Sequence, residues 1–565
     1  MPINNLQWKI GGQAGYGIMS AGEIFGKVCS RAGLKVFATN DYPSLVRGGS
    51  NTFTVRISEK TISAYLSKSN ILVALNQETI NLYKHELTEN ACIIYDENIQ
   101  LNKEDFPNIN LFPIPLNRFA QEYGHADVMR NTVALGASFG LLKLDFNILE
   151  NVIRDLFAKK PQVIEPNIQA AQSGYNYLKE KECLFQLRPQ ASEKQMLISS
   201  NHAIALGAIK AGLKFAPIYP ITPINPLLQY LALKSKDYNY IVQTPEDEIS
   251  GILQAIGASH AGVRTFIATS GAGFSLMAEA FSFAGIAEIP LVINYGQRAG
   301  PATGMPTKTE QSDLLFVQNA GHGEFPRIIV APGDVQECFE ETVRAFQLAE
   351  KYQIPTVILT DKFLNEAIQT TPLLQTNVPI KKQSFITDQE LQTIEDFKRY
   401  QFTETGISPR SIPGQEKGLF TANSDEHEEH GYSSDEQTNR TKMVDKRFQK
   451  IETLKTELPQ PVLYGNSAAS TSIISWGSTK GAILENLEKF PDTNFLQIKY
   501  LTPFPDIKNL IQNKKIIVIE NNKTGQLARL IKENTLIKPD YLINKYDGHQ
   551  FTADQIEEEL TKCLK

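Results

Sequence analysis

Cysteine is scarce in this chain: there are five in 565 residues, Cys29, Cys92, Cys183, Cys338 and Cys563, with no C-x-x-C pair among them. That spacing gives no support to a zinc ribbon, a thioredoxin-type dithiol or a cysteine-ligated cluster held by this chain. Scattered thiols behave as small core hydrophobes in a reducing compartment, so a cytoplasmic location is expected. An excess of positive charge is missing as well. With 56 Lys and Arg against 62 Asp and Glu, the net charge is -6, which argues against a nucleic-acid-coating surface. Long apolar runs are also absent. The most apolar stretch, Gly271 to Gly296, is interrupted by Glu279, Glu288 and Pro290, whereas a spanning helix needs about 20 apolar residues. The start, MPINNLQWKIGG, has no basic region followed by an apolar one, so no signal peptide is expected.

What is present is strand–helix alternation, the pattern of parallel α/β sheets. At about 100–200 residues per domain, the length allows three or four domains. A strand at 6–10 runs into glycines and then into an amphipathic helix over Gly17 to Arg31. Further strands are predicted at 71–75, 92–95 and 111–116, and polar sequence at 180–195 closes this first unit, residues 1–190. A second unit, 195–365, carries strands at 215–220, 240–244, 264–269, 290–295, 326–331 and 354–360 with helices between them, which predicts a doubly wound parallel sheet. Residues 366–460, including the acidic tract NSDEHEEHGYSSDEQTNRTK, read as a linker and surface excursion. A third unit over 461–565 has strands at 471–476 and 515–519. The predicted fold class is α/β throughout, in three domains.

The candidate functional residues gather at strand ends. Gly11, Gly12, Gly15 and Gly17 lie between a strand and a helix, but at spacings that miss the dinucleotide fingerprint. A tight turn and a coenzyme contact both remain open there, as they do for Arg47 in the loop Arg47-Gly48-Gly49-Ser50. In the second unit, Tyr219-Pro220-Ile221-Thr222-Pro223 ends the first strand, and it serves equally as a stiffened turn or as a ligand loop. The next strand leads into Thr244-Pro245-Glu246-Asp247-Glu248, where Glu246 and Asp247 suit helix capping. Glu248 enters a helix rich in Ala and Gly, where a buried carboxylate would have a perturbed pKa. Ser270-Gly271-Ala272-Gly273 and Gln297-Arg298-Ala299-Gly300-Pro301 close two further strands, with Arg298 available for a carboxylate. His427-Glu428-Glu429-His430 has its histidines three apart rather than four, so a solvated acidic loop is preferred to a metal site.

The succession of YPITP, an E-x-x-G helix start, TSGAG and an R-x-G-P-x-T-G loop resembles the pyrimidine-binding domain of 2-oxoacid:ferredoxin oxidoreductases. GGQAGYG and DYPSLVRGGSN resemble the gamma domain of the same family, and their fusion resembles the alpha subunit of its two-subunit form, most closely the 2-oxoglutarate type. The third unit is similar, with weaker motifs, to the transketolase-C-like domain that follows in the family. The resemblance implies a thiamine diphosphate enzyme that decarboxylates a 2-oxoacid oxidatively, with coenzyme A as co-substrate and ferredoxin as electron acceptor, or runs in reverse. It implies that Glu248 bonds the far nitrogen of the cofactor's pyrimidine. Thr222 and Arg298 would hold the 2-oxoacid, while Tyr219, Pro220, Ile221 and Gly271 would contact the cofactor. Gly12, Gly15, Gly17 and Arg47 are possible coenzyme contacts. The family's G-D-G…N diphosphate–Mg²⁺ segment has no counterpart here, since Asp547-Gly548 lacks the preceding glycine. A beta subunit is therefore expected to bring the Mg²⁺ site and an iron–sulfur cluster, in a heterodimer or a dimer of heterodimers, with no metal held by this chain. Pyruvate or branched-chain 2-oxoacids are the alternative substrates, and a non-catalytic assembly subunit is the alternative role.

Overall fold

The computed structural model describes residues 3–44, 49–124, 127–381 and 385–564. Its architecture is α/β with parallel-rich sheets, as the alternating pattern predicts. The first unit is built on the strand Leu6–Gln13, which pairs in parallel with Ser69–Ala74 and antiparallel with Ser50–Ser58. Trp8 of that strand stacks on Phe25 of the helix Ile18–Arg31 with centroids 4.1 Å apart, and Phe25 stacks in turn on Phe139 at 4.7 Å. These rings form the centre of an apolar core. The helices Arg130–Leu141 and Ile164–Leu178 cross with their backbones nearly touching: a Cβ on Gly140 would fall 3.1 Å from the Tyr175 carbonyl carbon and nearer still to its oxygen.

This unit does not close at residue 190. Its eight-stranded sheet continues from Lys35–Asp41 to Ile368–Pro372 and then to Gln195–Ser199. Both added strands come from outside the first 190 residues. They are antiparallel edge pairings made with distant sequence, which a local window does not reveal.

All six strands read from the second unit are present. They run parallel in the spatial order Ile241–Gln243, Phe215–Pro217, Ile267–Thr269, Leu291–Gln297, Pro355–Asp361 and Ile328–Val330. Between the second and third of these, contact narrows to a single parallel bridge, Phe215 to Thr265. The earliest strand thus sits between the next two in sequence, a reversal of winding that opens a crevice at the carboxyl ends of the strands. Tyr500–Thr502 from the third unit adds an antiparallel edge. The remainder of the third unit is a five-stranded sheet whose inner strands are Thr471–Ser475, Thr493–Gln497 and Lys515–Glu520.

The expected linker at 366–460 is corrected. Besides the strand Ile368–Pro372 it contains the 21-residue helix Gln437–Glu457. That helix sends Lys446 and Lys450 into the protein, where both meet the fully buried Glu288, Lys446 at 2.5 Å. Arg399 donates to the backbone carbonyl of Glu288 at 2.9 Å. The acidic tract is not a solvated loop either. Glu426 receives two bonds from Arg447, at 2.9 and 2.6 Å, and the buried His427 ring lies 4.0 Å from the ring of Tyr400. Glu426 is neutralised by Arg440 and Arg447 of the following helix and Glu429 by Lys398, so composition alone misreads these charges. Among the described residues, no helix is long and apolar enough to cross a membrane.

Candidate active site

Four loops reach the crevice from consecutive parallel strands. After Phe215–Pro217, the chain exposes Tyr219 and Pro220 and half-buries Ile221 and Thr222. Arg298, at the end of Leu291–Gln297, donates to the Thr222 carbonyl at 3.1 Å. The structure thus joins two residues that are 76 positions apart in the chain. Arg298 is itself buried, and burial lowers its pKa against the opposing pull of Tyr295 and Asp313. Sequence reasoning missed those two neighbours. The Tyr295 hydroxyl donates to Asp313 at 2.9 Å, and burial raises the Asp313 pKa while that bond and Arg298 lower it. No local motif marks Asp313; only the fold brings it under the Arg298 loop.

Glu248 is the first residue of the helix Glu248–His260. Asp247 caps this helix, accepting from the Ser250 amide at 2.8 Å, which leaves Glu248 free of capping duty. Its side chain is 6% exposed, and its carboxylate has no hydrogen bond or ion pair among the described residues. Gly273 makes room for it. A Cβ at that position would fall 2.8 Å from the Glu248 carboxyl carbon, and closer still to an oxygen of the carboxylate and to Thr269 Oγ1. Gly271, read as part of a turn, is the first residue of the helix Gly271–Ile286, and the buried hydroxyl of the preceding Ser270 is also unpartnered. A desolvated hydroxyl without a partner is costly unless a ligand bonds it, and the Glu248 carboxylate, without a protein partner, adds a free acceptor. They therefore fit a heteroaromatic group that offers a protonated ring nitrogen and a further polar edge.

The Arg298 loop is braced from both sides. Lys308 forms an ion pair with Asp41 of the first unit, and the Thr309 amide donates to the Gly548 carbonyl of the third at 3.0 Å. Asp41 opens the DYPSLVRGGSN motif, so two motifs read separately in the sequence meet in space. Gly11 and Gly12 do not lie in a loop, because their strand continues to Gln13. Gly15 and Gly17 do form the turn before the helix Ile18–Arg31, at φ of 93° and 72°. Arg47 lies outside the described residues. Among the described residues, no group of three or more His, Cys, Asp or Glu side chains converges to hold a metal ion.

A doubly wound α/β fold with a buried carboxylate at its switch-point crevice is the class that these features define. The family model for the thiamine diphosphate-binding region of pyruvate flavodoxin/ferredoxin oxidoreductases matches residues 206–446, and a second model of pyruvate ferredoxin/flavodoxin oxidoreductases matches residues 7–177. The alpha subunit of a 2-oxoacid:ferredoxin oxidoreductase from Sulfolobus is 34% identical over 99% of this chain and 97% of its own length. A 2-oxoglutarate oxidoreductase subunit KorA from Mycobacterium tuberculosis is 28% identical over 98% of this chain and 91% of its own length. The solved 2-oxoglutarate:ferredoxin oxidoreductase from Magnetococcus marinus, with 2-oxoglutarate, coenzyme A and succinyl-CoA bound, superposes with a TM-score of 0.92 at 32% identity, over 100% of both chains. The chain belongs to the alpha subunits of the 2-oxoacid:ferredoxin oxidoreductases, a family of enzymes.

Proposed function

We propose that this chain provides the pyrimidine-side half of a thiamine diphosphate active site that oxidatively decarboxylates 2-oxoglutarate, passing the acyl group to coenzyme A and two electrons to ferredoxin. The single observation that carries this reading is the buried, unpartnered carboxylate of Glu248. When bound, the cofactor supplies an acidic thiazolium carbon and an electron sink for decarboxylation. Glu248 would bond the ring nitrogen of the cofactor's pyrimidine through its carboxylate oxygen. Ser270 Oγ and the backbone of Gly271 would contact the cofactor, as would Tyr219, Pro220 and Ile221. Arg298 anchors the carboxylate of the 2-oxoacid by a charge-assisted bond, and its own bond to the Thr222 carbonyl fixes the guanidinium in place. Thr222 orients the substrate carbonyl. The Gly15–Gly17 turn at a helix N-terminus, with Gly12 and Arg47, serves the phosphates of coenzyme A.

Beside Glu248, the side chains of Ile249, Leu253 and Leu276 stand exposed. A beta subunit covering this apolar face, and carrying the Mg²⁺–diphosphate site and an iron–sulfur cluster, would complete the centre as a heterodimer or a dimer of heterodimers. The choice of 2-oxoglutarate is supported by the names of the Mycobacterium and Magnetococcus proteins. The test is co-expression with the partner, comparing wild type and Glu248→Gln. Acceptor reduction should fall by roughly 10²–10⁴-fold while the complex still assembles, and near-normal turnover overturns the assignment. In the same assay, a 2-oxoacid panel should rank 2-oxoglutarate first, and a preference for pyruvate would displace it.

A further inference from the structure

Cys92 and Cys183 stand 91 positions apart in the chain, and the fold of the first unit brings their sulfurs to 3.3 Å. Cys92 lies within the strand Leu87–Asp96, where it pairs with Ile71 on one side and Asn110 on the other. Cys183 belongs to the segment that follows the helix Ile164–Leu178 and leads toward the second unit. Backbone bonds tie that segment down: the Leu187 amide donates to the Leu142 carbonyl at 2.9 Å, and the Asn4 amide donates to the Gln186 carbonyl at 2.9 Å. A disulfide holds its sulfurs about 2.05 Å apart. An approach of a little over about 1 Å would therefore join the two.

The two thiols are not equivalent. The Cys183 sulfur already accepts from the Phe185 amide at 3.4 Å, which favours Cys92 as the donor between them. Lys143 donates to the carbonyls of Lys179 and Lys181, the latter at 2.8 Å, and so brings its ammonium to the same segment. The bond from Cys92 lowers the Cys183 pKa; burial opposes it, and the Phe185 amide and Lys143 lower it further. Cys92 moves the other way, pushed up by that same bond and by burial. Access differs as well. Cys92 is fully buried, whereas Cys183 is 9% exposed and sits between the exposed Glu182 and Leu184. A thiolate-prone sulfur near the surface, with a second thiol directly behind it, is the arrangement of redox-sensing cysteines.

We propose that Cys92 and Cys183 form a reversible disulfide when the protein meets a small peroxide. The Cys183 thiolate attacks one peroxide oxygen: an S–O bond forms, the O–O bond breaks, and the departing hydroxide takes a proton from solvent and leaves as water. The Cys92 sulfur then attacks the Cys183 sulfenic acid: the S–S bond forms, the S–O bond breaks, and the hydroxide leaves as water with the Cys92 proton. The two sulfurs give up two electrons, which reduce hydrogen peroxide to two waters. A dithiol reductant restores both thiols by exchange. The covered Cys183 sulfur admits a peroxide and excludes a bulky disulfide. The new bond closes a long loop and fastens the strand Leu87–Asp96 to the segment leading into the second unit, so the oxidised form is the more stable.

The experiment treats the full-length chain with hydrogen peroxide or with oxidised glutathione, then alkylates it and maps tryptic peptides by mass spectrometry. Peroxide should link peptide 85–103 to peptide 182–194, and dithiothreitol should release them. The link should form at least about tenfold faster than any oxidation of Cys29 or Cys338, and oxidised glutathione should form it at least about tenfold more slowly than peroxide. Cys92→Ser should leave Cys183 as a sulfenic acid that dimedone traps, and Cys183→Ser should leave Cys92 unoxidised. Oxidation should raise the wild-type melting temperature by roughly 5 °C or more, reversibly, and shift neither variant. Should a variant fail to fold, the wild-type peptide map and its reversible melting shift decide alone. No linked peptide, or oxidation of Cys183 no faster than that of Cys29, means packed thiols only and overturns the proposal. Equal linking by oxidised glutathione overturns its restriction to a peroxide.

Discussion

Gly273→Ala isolates the position of the Glu248 carboxylate from its charge. Position 273 lies in the first turn of the helix Gly271–Ile286, where alanine is favoured over glycine by about 1 kcal/mol. Against that gain stands the new methyl, 2.8 Å from the Glu248 carboxyl carbon and nearer to Thr269 Oγ1. Overpacking of this kind costs about 1–3 kcal/mol, so the net change in stability should be small, about 0–2 kcal/mol. Of the two neighbours, Thr269 is a fully buried strand residue, whereas Glu248 ends in a flexible carboxylate. Both must shift, and the Glu248 carboxylate yields the more readily. A misplacement of about 1 Å is enough to cost roughly 10²-fold in rate. The expected result is therefore a fall of about ten- to a hundredfold in kcat at nearly unchanged melting temperature. A double-mutant cycle with Glu248→Gln sharpens the test, because contacting residues couple and distant ones add. With Glu248 already replaced, Gly273→Ala should cost little more. Fully additive losses, or wild-type kcat in Gly273→Ala, would refute the claim that this glycine exists to seat the carboxylate.

Two further outcomes concern the segment 385–457. Glu288→Ala would strand Lys446 and Lys450 in a buried site, at a cost of about 3–5 kcal/mol; limited proteolysis should then cut within 385–436 well below the temperature at which wild type is cut, and wild-type resistance would show that the trio is not what holds the segment. The second concerns acid. Burial raises the Glu426 pKa, but the bonds from Arg447 and Arg440 outweigh it and bring the carboxyl from 4.5 to about 2. A carboxylate depressed in the folded state contributes stability that is present above pH 4.5 and lost as the pH falls toward 2. The difference in melting temperature between wild type and Glu426→Gln should be constant above pH 5 and shrink steadily below about pH 4.5. A difference independent of pH would contradict the ion pair.

The parts legible in the sequence were those governed by local patterning. Each strand of the second unit is a short apolar run that ends in proline, glycine or a polar residue, so all six could be read without tertiary information. Glu248 could be singled out because two better-placed caps, Glu246 and Asp247, precede it and small residues follow it. What escaped depends on partners far along the chain. Glu288 and Lys446 are separated by 158 positions, and within either local window a charge reads as solvent-facing. His427 is packed against the ring of Tyr400, brought from outside its local window, so its acidic neighbours misled the reading. The strands Gln195–Ser199 and Ile368–Pro372 have ordinary composition, and only their antiparallel pairing to the edge of the first sheet gives them a role. Asp313 carries no motif at all, and its proximity to Arg298 follows from how the loop after Leu291–Gln297 returns to the crevice.

Those long-range contacts explain why the site belongs to the whole chain rather than to the second unit. In the proposed role, Arg298 would bind a carboxylate well only if its guanidinium were held still. The loop's far end is pinned twice, by Lys308 to Asp41 of the first unit and by Thr309 to Gly548 of the third. The next strand is pinned as well, since Lys362 donates to the carbonyl and side chain of Asn40 at 3.1 and 3.0 Å. Each of these contacts crosses between units. Rigid support outside the reacting residues is what converts a polar loop into a binding site with fixed geometry. The fusion of the first unit to the second therefore has a physical consequence: Asp41 pins the far end of the Arg298 loop and Asn40 pins Lys362 beside it.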